Sequence, residues 1–235
     1  MHCFVTLRQN WIRHCLFCVA ALCGVSYGHV TLAEPSGTLS LQILDARGQP
    51  APNTVVIVPS QAEPAEGRSE AINYSIDQIN LEFVPHVSLV PTGKPVYFPN
   101  SDKTRHHVYS FSEPNNFELK LYREKDAPPV VFQREGVVEL GCNIHDSMKG
   151  YIYLSNAPVQ AVSDADGRLD LPLNSPLVTN QTLLIWHPLM GAKGAVSYPY
   201  DSTGPLRLNF NLPDRGTAKP SSLKERLQQF KKHHD

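Results

Sequence analysis

A chain of 235 residues has room for one large or two small domains. Hydrophobic residues make up 41% and charged residues 18%, which excludes wholesale disorder. A formal net charge of −1 supplies no basic excess for nucleic acid, so no such partner is expected.

Residues 1–33 read as a secretory signal. Arg8, Arg13 and His14 precede the apolar stretch Cys15 to Val25, and no acidic residue occurs before Glu34. That stretch is 11 residues, too short to cross a bilayer, so no stable membrane span is expected after cleavage. Small residues offer cleavage after Gly28 or after Ala33. The mature protein is expected outside the cytoplasm, in a periplasm-like compartment. Cleavage removes Cys3, Cys15, Cys18 and Cys23 and leaves Cys142 alone. It also removes two arginines, so 21 − 2 = 19 basic against 22 acidic residues gives a mature charge of −3. A lone thiol cannot form an internal disulfide, and in an oxidising compartment metal ligation is its first candidate role.

The mature chain reads as all-β. In the segment 34–70, Leu39, Leu41 and Ile43 alternate with Ser40 and Gln42, the period of a half-buried strand. A turn at Asp45 to Pro50 leads to the β-branched run Val55 to Val58, and residues 60–70 form an exposed connection. Between 71 and 156, short apolar runs punctuated by Pro and Gly follow at 87–90, 96–98, 108–111, 117–122, 130–132, 137–140 and 151–154. Such spacing predicts a sandwich or barrel. The pattern restarts in 157–213, with a turn at Ser163 to Arg168, alternation at Leu169 and Leu171, a strand at Leu183 to Trp186 and alternation from Leu206 to Leu212. Asp164, Asp166 and Gly167 faintly suggest a calcium loop, but its terminal acidic ligand is absent and a turn is the better reading. The polar tail 214–235 carries Ser222 and Glu225 at capping-box spacing and fits either a short docked helix or a frayed surface tail.

Three donors fall within seven residues, in the run Cys142-Asn143-Ile144-His145-Asp146-Ser147-Met148. Val138 and Leu140 alternate with Glu139, so a strand in that register aligns Cys142 with the core-facing residues. His145 and Met148 follow on one loop. A fourth donor must come from elsewhere, and the pair His106-His107 is the neighbouring candidate. Thiolate, imidazole and thioether together select copper, with methionine as a weak axial ligand. Zinc prefers a closed Cys/His set without methionine. His86 and His187 are isolated beside prolines and read as structural or exposed residues.

The residues Val96 to Asn100, His106-His107-Val108 and Gly141 to Met148 resemble the cupredoxins over about 70–156. The Cys-x2-His-x2-Met loop is similar to that of amicyanin, and the whole layout resembles the plastocyanin-like proteins labelled methylamine utilization proteins. The resemblance implies a Greek-key β-sandwich at 71–156 holding one type 1 (blue) copper, with His106, Cys142, His145 and Met148 as ligands. Cupredoxins carry His-Asn-Val where this chain has His106-His107-Val108, with the ligand first. His107 therefore takes the asparagine position and, with Asn143, is expected to tie the two ligand loops together. The implied role is a one-electron carrier serving a redox partner protein, not an enzyme. Copper storage, sensing or delivery uses the same ligands, and a structural interaction module is a further alternative. The flanking pieces 37–60 and 157–213 resemble strands of a transthyretin-like sandwich. Either they pair with one another around the copper module, or 37–60 extends the copper sheet itself.

Overall fold

The computed structural model describes residues 37–59, 73–122, 127–173, 175–201 and 204–209. The expected signal segment 1–33 with its two candidate cleavage sites, the connection 60–70 and the tail 214–235 lie outside the described residues.

The described chain is all-β. Its first strands are β1 (Gly37–Leu44) and β2 (Val55–Ile57). Next come β3 (Tyr74–Ser75), β4 (Asp77–Ile79), β5 (Glu82–Val84), β6 (Val87–Val90) and β7 (Pro95–Tyr97). The middle of the chain holds β8 (His106–Ser110), β9 (Phe117–Tyr122), β10 (Val130–Val131), β11 (Gly136–Cys142) and β12 (Lys149–Leu154). The chain continues through β13 (Gln160–Val162), β14 (Arg168–Leu173), β15 (Thr182–Trp186), β16 (Val196–Pro199) and β17 (Leu206–Arg207).

Two sandwiches form. In the first, a five-stranded sheet in the order β6-β12-β11-β8-β9 faces a three-stranded sheet in the order β10-β7-β3. Their shared core includes Val90, Val96, Phe98, Val108, Leu140 and Ile152. In this sandwich β6 and β12 are parallel, and β11 is antiparallel to both β12 and β8. Gly150 on β12 is required by close approach, because a Cβ there would lie 2.8 Å from the Phe83 Cβ.

In the second, the sheet β14-β1-β17 faces the sheet β13-β2-β15-β16. Ile43, Val56, Val58, Leu171, Leu183 and Ile185 fill the space between them. The N-terminal strands therefore pair with the C-terminal ones, β1 antiparallel to β14 and β2 between β13 and β15. Of the two arrangements open to the sequence, extension of the first sandwich's sheet by 37–60 is not the one found. Asp45 and Asp164 close matching turns: each Oδ1 accepts two backbone N–H groups, from Arg47 and Gln49 and from Asp166 and Arg168. The Asp164 segment is thus a turn closed by its own aspartate carboxylate.

The two sandwiches share a third cluster. Val55, Ile57 and Trp186 pack against Val87, Val137 and Tyr153 on the outer face of the five-stranded sheet. Successive residues of β2 alternate between this cluster and the flanking core, so all three are buried. The unbroken apolar run Val55 to Val58 is the sequence mark of a strand covered on both faces.

His187 is buried and caps the short 3-10 segment Pro188–Lys193, its Nδ1 accepting from the Leu189 amide at 3.2 Å. The other ring nitrogen donates to the Pro52 carbonyl. Burial drives the imidazole pKa from 6.5 down to about 4, against the raising effect of the Pro52 bond. In the unfolded chain the ring binds a proton below 6.5; in the folded protein it does not until about 4. Stability is therefore full above pH 6.5 and falls as pH drops, by about 3 kcal/mol once pH 4 is reached. Denaturant unfolding between pH 7 and pH 4 measures this. His187→Asn keeps a capping oxygen and removes the titration, so its stability should change less across that window; an identical slope would contradict the assignment.

Candidate metal centre

His106 opens β8 and Cys142 ends β11, two neighbouring antiparallel strands with Cys142 paired to Val108. Both side chains are buried, at 0% and 2% exposure. The alternation of β11 sends Val138, Leu140 and Cys142 into the sandwich core, while Val137 faces the cluster on the opposite side. Beyond Cys142 the chain turns, and the Met148 amide donates to the His145 carbonyl at 2.9 Å. His145 is half-buried and Met148 is 1% exposed, inside the same core as Cys142.

The structure brings His106, Cys142 and His145 together. Cys142 Sγ lies 3.7 Å from His106 Nδ1 and 3.7 Å from His145 Nδ1, and all three donor atoms lie within 4.8 Å of one another. The imidazole centroids are 5.0 Å apart with planes inclined at 58°. Metal bonds of about 2.0 Å to nitrogen and about 2.3 Å to sulfur, meeting at a wide angle, span such separations. The group could hold one metal ion, and a buried thiol between two imidazoles suits a metal bound by soft and borderline donors. Two candidates stand apart from it. His86 is exposed and meets the Tyr151 ring edge-on at 5.6 Å, and His187 caps its 3-10 segment.

His107 corrects an expectation. One residue along β8, it projects to the face opposite His106, and its Nε2 lies 2.9 Å from Glu118 Oε1 on β9, poorly aligned for a hydrogen bond. Asn143 is exposed and makes no hydrogen bond to His107 among the described residues. The expected tie between the two is not formed, because strand alternation carries the 107 ring away from the ligand loop.

Asn100 anchors the loop before His106 instead. It is 5% exposed; its Nδ2 donates to the Thr104 carbonyl at 2.9 Å and its Oδ1 accepts from the Asp102 amide at 3.0 Å. Beneath, the Gln78 amide donates to the Tyr122 hydroxyl, which donates to the Phe98 carbonyl at 2.6 Å. Tyr122 lies opposite His106 across β8 and β9. Burial pushes its phenol up to about 12, the Gln78 hydrogen bond opposes this, and the nearby Cys142 and Asp77 add to the rise. Tyr122 is a neutral wall of the site.

Sequence reasoning missed Asp102. Its Oδ2 lies 2.8 Å from His106 Nε2, and its two carboxylate oxygens accept the Asn80 and Leu81 amides at 2.7 and 3.0 Å. Partial desolvation pushes this carboxyl up, but the Leu81, His106 and Asn80 hydrogen bonds outweigh it and hold the group below its ordinary value. The run Asn100-Ser101-Asp102 signals a turn, which was the only cue available.

No protein-family model matches the chain, and no curated protein matches it. Solved structures do. A purple cupredoxin from Nitrosopumilus maritimus is 22% identical, over 35% of this chain and 100% of its own, with a TM-score of 0.33. A mutant amicyanin in its reduced state is 18% identical, over 43% of this chain and 98% of its own, with a TM-score of 0.33. The copper-containing nitrite reductase of Thermus scotoductus SA-01 is 20% identical, over 48% of this chain and 28% of its own, with a TM-score of 0.35.

Proposed function

We propose that this all-β chain is an exported one-electron carrier with one type 1 copper held by His106, Cys142, His145 and Met148. The observation that carries the reading is the convergence of one buried thiol and two imidazole Nδ1 atoms within 4.8 Å, with a buried methionine one turn beyond. When bound, copper supplies the one-electron change between Cu(II) and Cu(I). Every other part belongs to the chain. Cys142 offers a thiolate from the end of a rigid strand, and His106 holds its ring inside the core. His145, the half-buried member of the group, links it to the surface where a redox partner protein would dock. Burial among Val108, Leu140 and Phe98 keeps water from the donors. The basic start and short apolar run of residues 1–33 support export to the periplasm.

The test is the visible spectrum of copper-loaded protein. The oxidised form should be blue, with an intense thiolate-to-copper band, a narrow copper hyperfine splitting and reversible bleaching by a reductant. His106→Ala should lose the blue site, whereas His107→Ala should keep it, since the 107 ring faces Glu118. The opposite pattern would move the ligand to His107. Slow electron self-exchange with ready loss of copper to a chelator would instead favour delivery.

A further inference from the structure

We propose that Asp102 is a positioning residue for the metal centre, holding the His106 ring with Nδ1 toward Cys142 and setting a fixed negative charge on the far side of that ring. This rests on the copper reading above.

The first support is directional. A carboxylate is an acceptor only, so the 2.8 Å contact requires the neutral His106 ring to carry its proton on Nε2. The Nδ1 lone pair is then free and aimed at the donor group, 3.7 Å from Cys142 Sγ. The imidazole is 0% exposed and the Asp102 side chain 14%, so solvent screens the contact weakly.

The second support is independent of the ligand. The β4–β5 hairpin turns through two successive left-handed residues, Asn80 at φ 54° and Leu81 at φ 63°. A leucine in that region costs roughly 1 kcal/mol or more and persists only where something outweighs it. Here the strained turn points two consecutive amides at the same carboxylate, an arrangement that binds anions. The Asp102 amide is in turn bound to the buried Asn100. The carboxylate is thus held from both sides before it meets His106, which makes it a built support rather than an incidental surface contact.

The charge has a consequence. A carboxylate hydrogen-bonded to a ligand imidazole raises the electron density of that ring and favours the more positive oxidation state of the ion. Asp102→Asn keeps an oxygen near Nε2 and removes the charge.

Two measurements test this. In metal-free wild-type protein, nitrogen NMR should find His106 as the Nε2–H tautomer, and Asp102→Ala should release it into a mixture; an Nδ1–H tautomer in the wild type overturns the proposal. In copper-loaded protein, Asp102→Asn should stay blue while its preference moves toward Cu(I) by about tenfold, an upward potential shift of roughly 59 mV for one electron. An unchanged potential in a folded, blue Asp102→Asn protein also overturns it. Should Asp102→Asn fail to fold, the wild-type tautomer still decides. Should the wild type never turn blue with copper, the copper reading fails, whereas the tautomer continues to report on Asp102 alone.

Discussion

Cys142→Ser should abolish the blue band completely and leave a folded, colourless protein. The band requires a sulfur–copper bond, and Cys142 is the mature chain's only thiol under the signal cleavage read above. Serine is close to cysteine in size, and the position is 2% exposed at the end of β11, so the sandwich core should close around it with little change. Its hydroxyl does not ionise at neutral pH and is a poor copper ligand beside two imidazoles. A second readout separates loss of the ion from loss of the fold. A ligand present at a hundred times its dissociation constant stabilises the folded state by about 2.7 kcal/mol. Copper should therefore raise the thermal midpoint of the wild type and leave that of Cys142→Ser almost unmoved. A serine variant that stays blue would show that another residue supplies the charge-transfer band, and the donor set would have to be redrawn.

The second large effect belongs to Trp186, at the junction of the two sandwiches. Trp186→Ala should cost about 3–5 kcal/mol of folding stability. The indole is 0% exposed, meets the Tyr151 ring at 5.4 Å and the Tyr153 ring at 5.6 Å, and donates Nε1–H to the Gly191 carbonyl at 2.9 Å. Truncation empties a large volume between β15 and the outer face of the five-stranded sheet. That face is opposite the one carrying Cys142, so the colour of the loaded protein should persist at temperatures where the variant is folded. Denaturant unfolding followed by circular dichroism gives the loss, and the visible spectrum gives the selectivity. A loss below about 1 kcal/mol would mean that the two sandwiches scarcely support each other.

What could be read from the sequence divides along physical lines. Cys142, His145 and Met148 lie within seven residues, so local spacing alone placed them on one loop. Alternation through Val138 and Leu140 correctly aimed Cys142 at the core, because a strand's period fixes the face of each side chain. His106 was separable from His107 only through the resemblance to cupredoxins, since both faces of β8 carry apolar neighbours. The same alternation defeats the proposed link from His107 to Asn143. Asp102 escaped because its role depends on a bend that brings position 102 back onto position 106 and on amides from a distant hairpin. That hairpin was itself hard to see: a leucine at φ 63° is not a turn signal any composition rule would choose. Strand patterns at 39–43 and 169–171 were legible, but alternation names a strand without naming its neighbour.

The pairing of β1 with β14 also bears on how the chain acquires its shape. Ser40 lies opposite Asp170, a separation of 130 residues bridged by a 2.6 Å hydrogen bond between their side chains. Synthesis runs from the N-terminus, so β1 and β2 emerge first and their partners last. Every strand of the five-stranded sheet, from β6 to β12, is made in between and can pair within its own neighbourhood. The earliest strands must therefore wait, with the edges of β2 unpaired, until the strands from residue 160 onward arrive to close a long loop. Closure across such a distance is the slow kind of β pairing. The final and slowest step in maturation should be the seating of the first strands between the last, and the waiting intermediate, with β2 unpaired along both edges, is the species a holding chaperone would recognise.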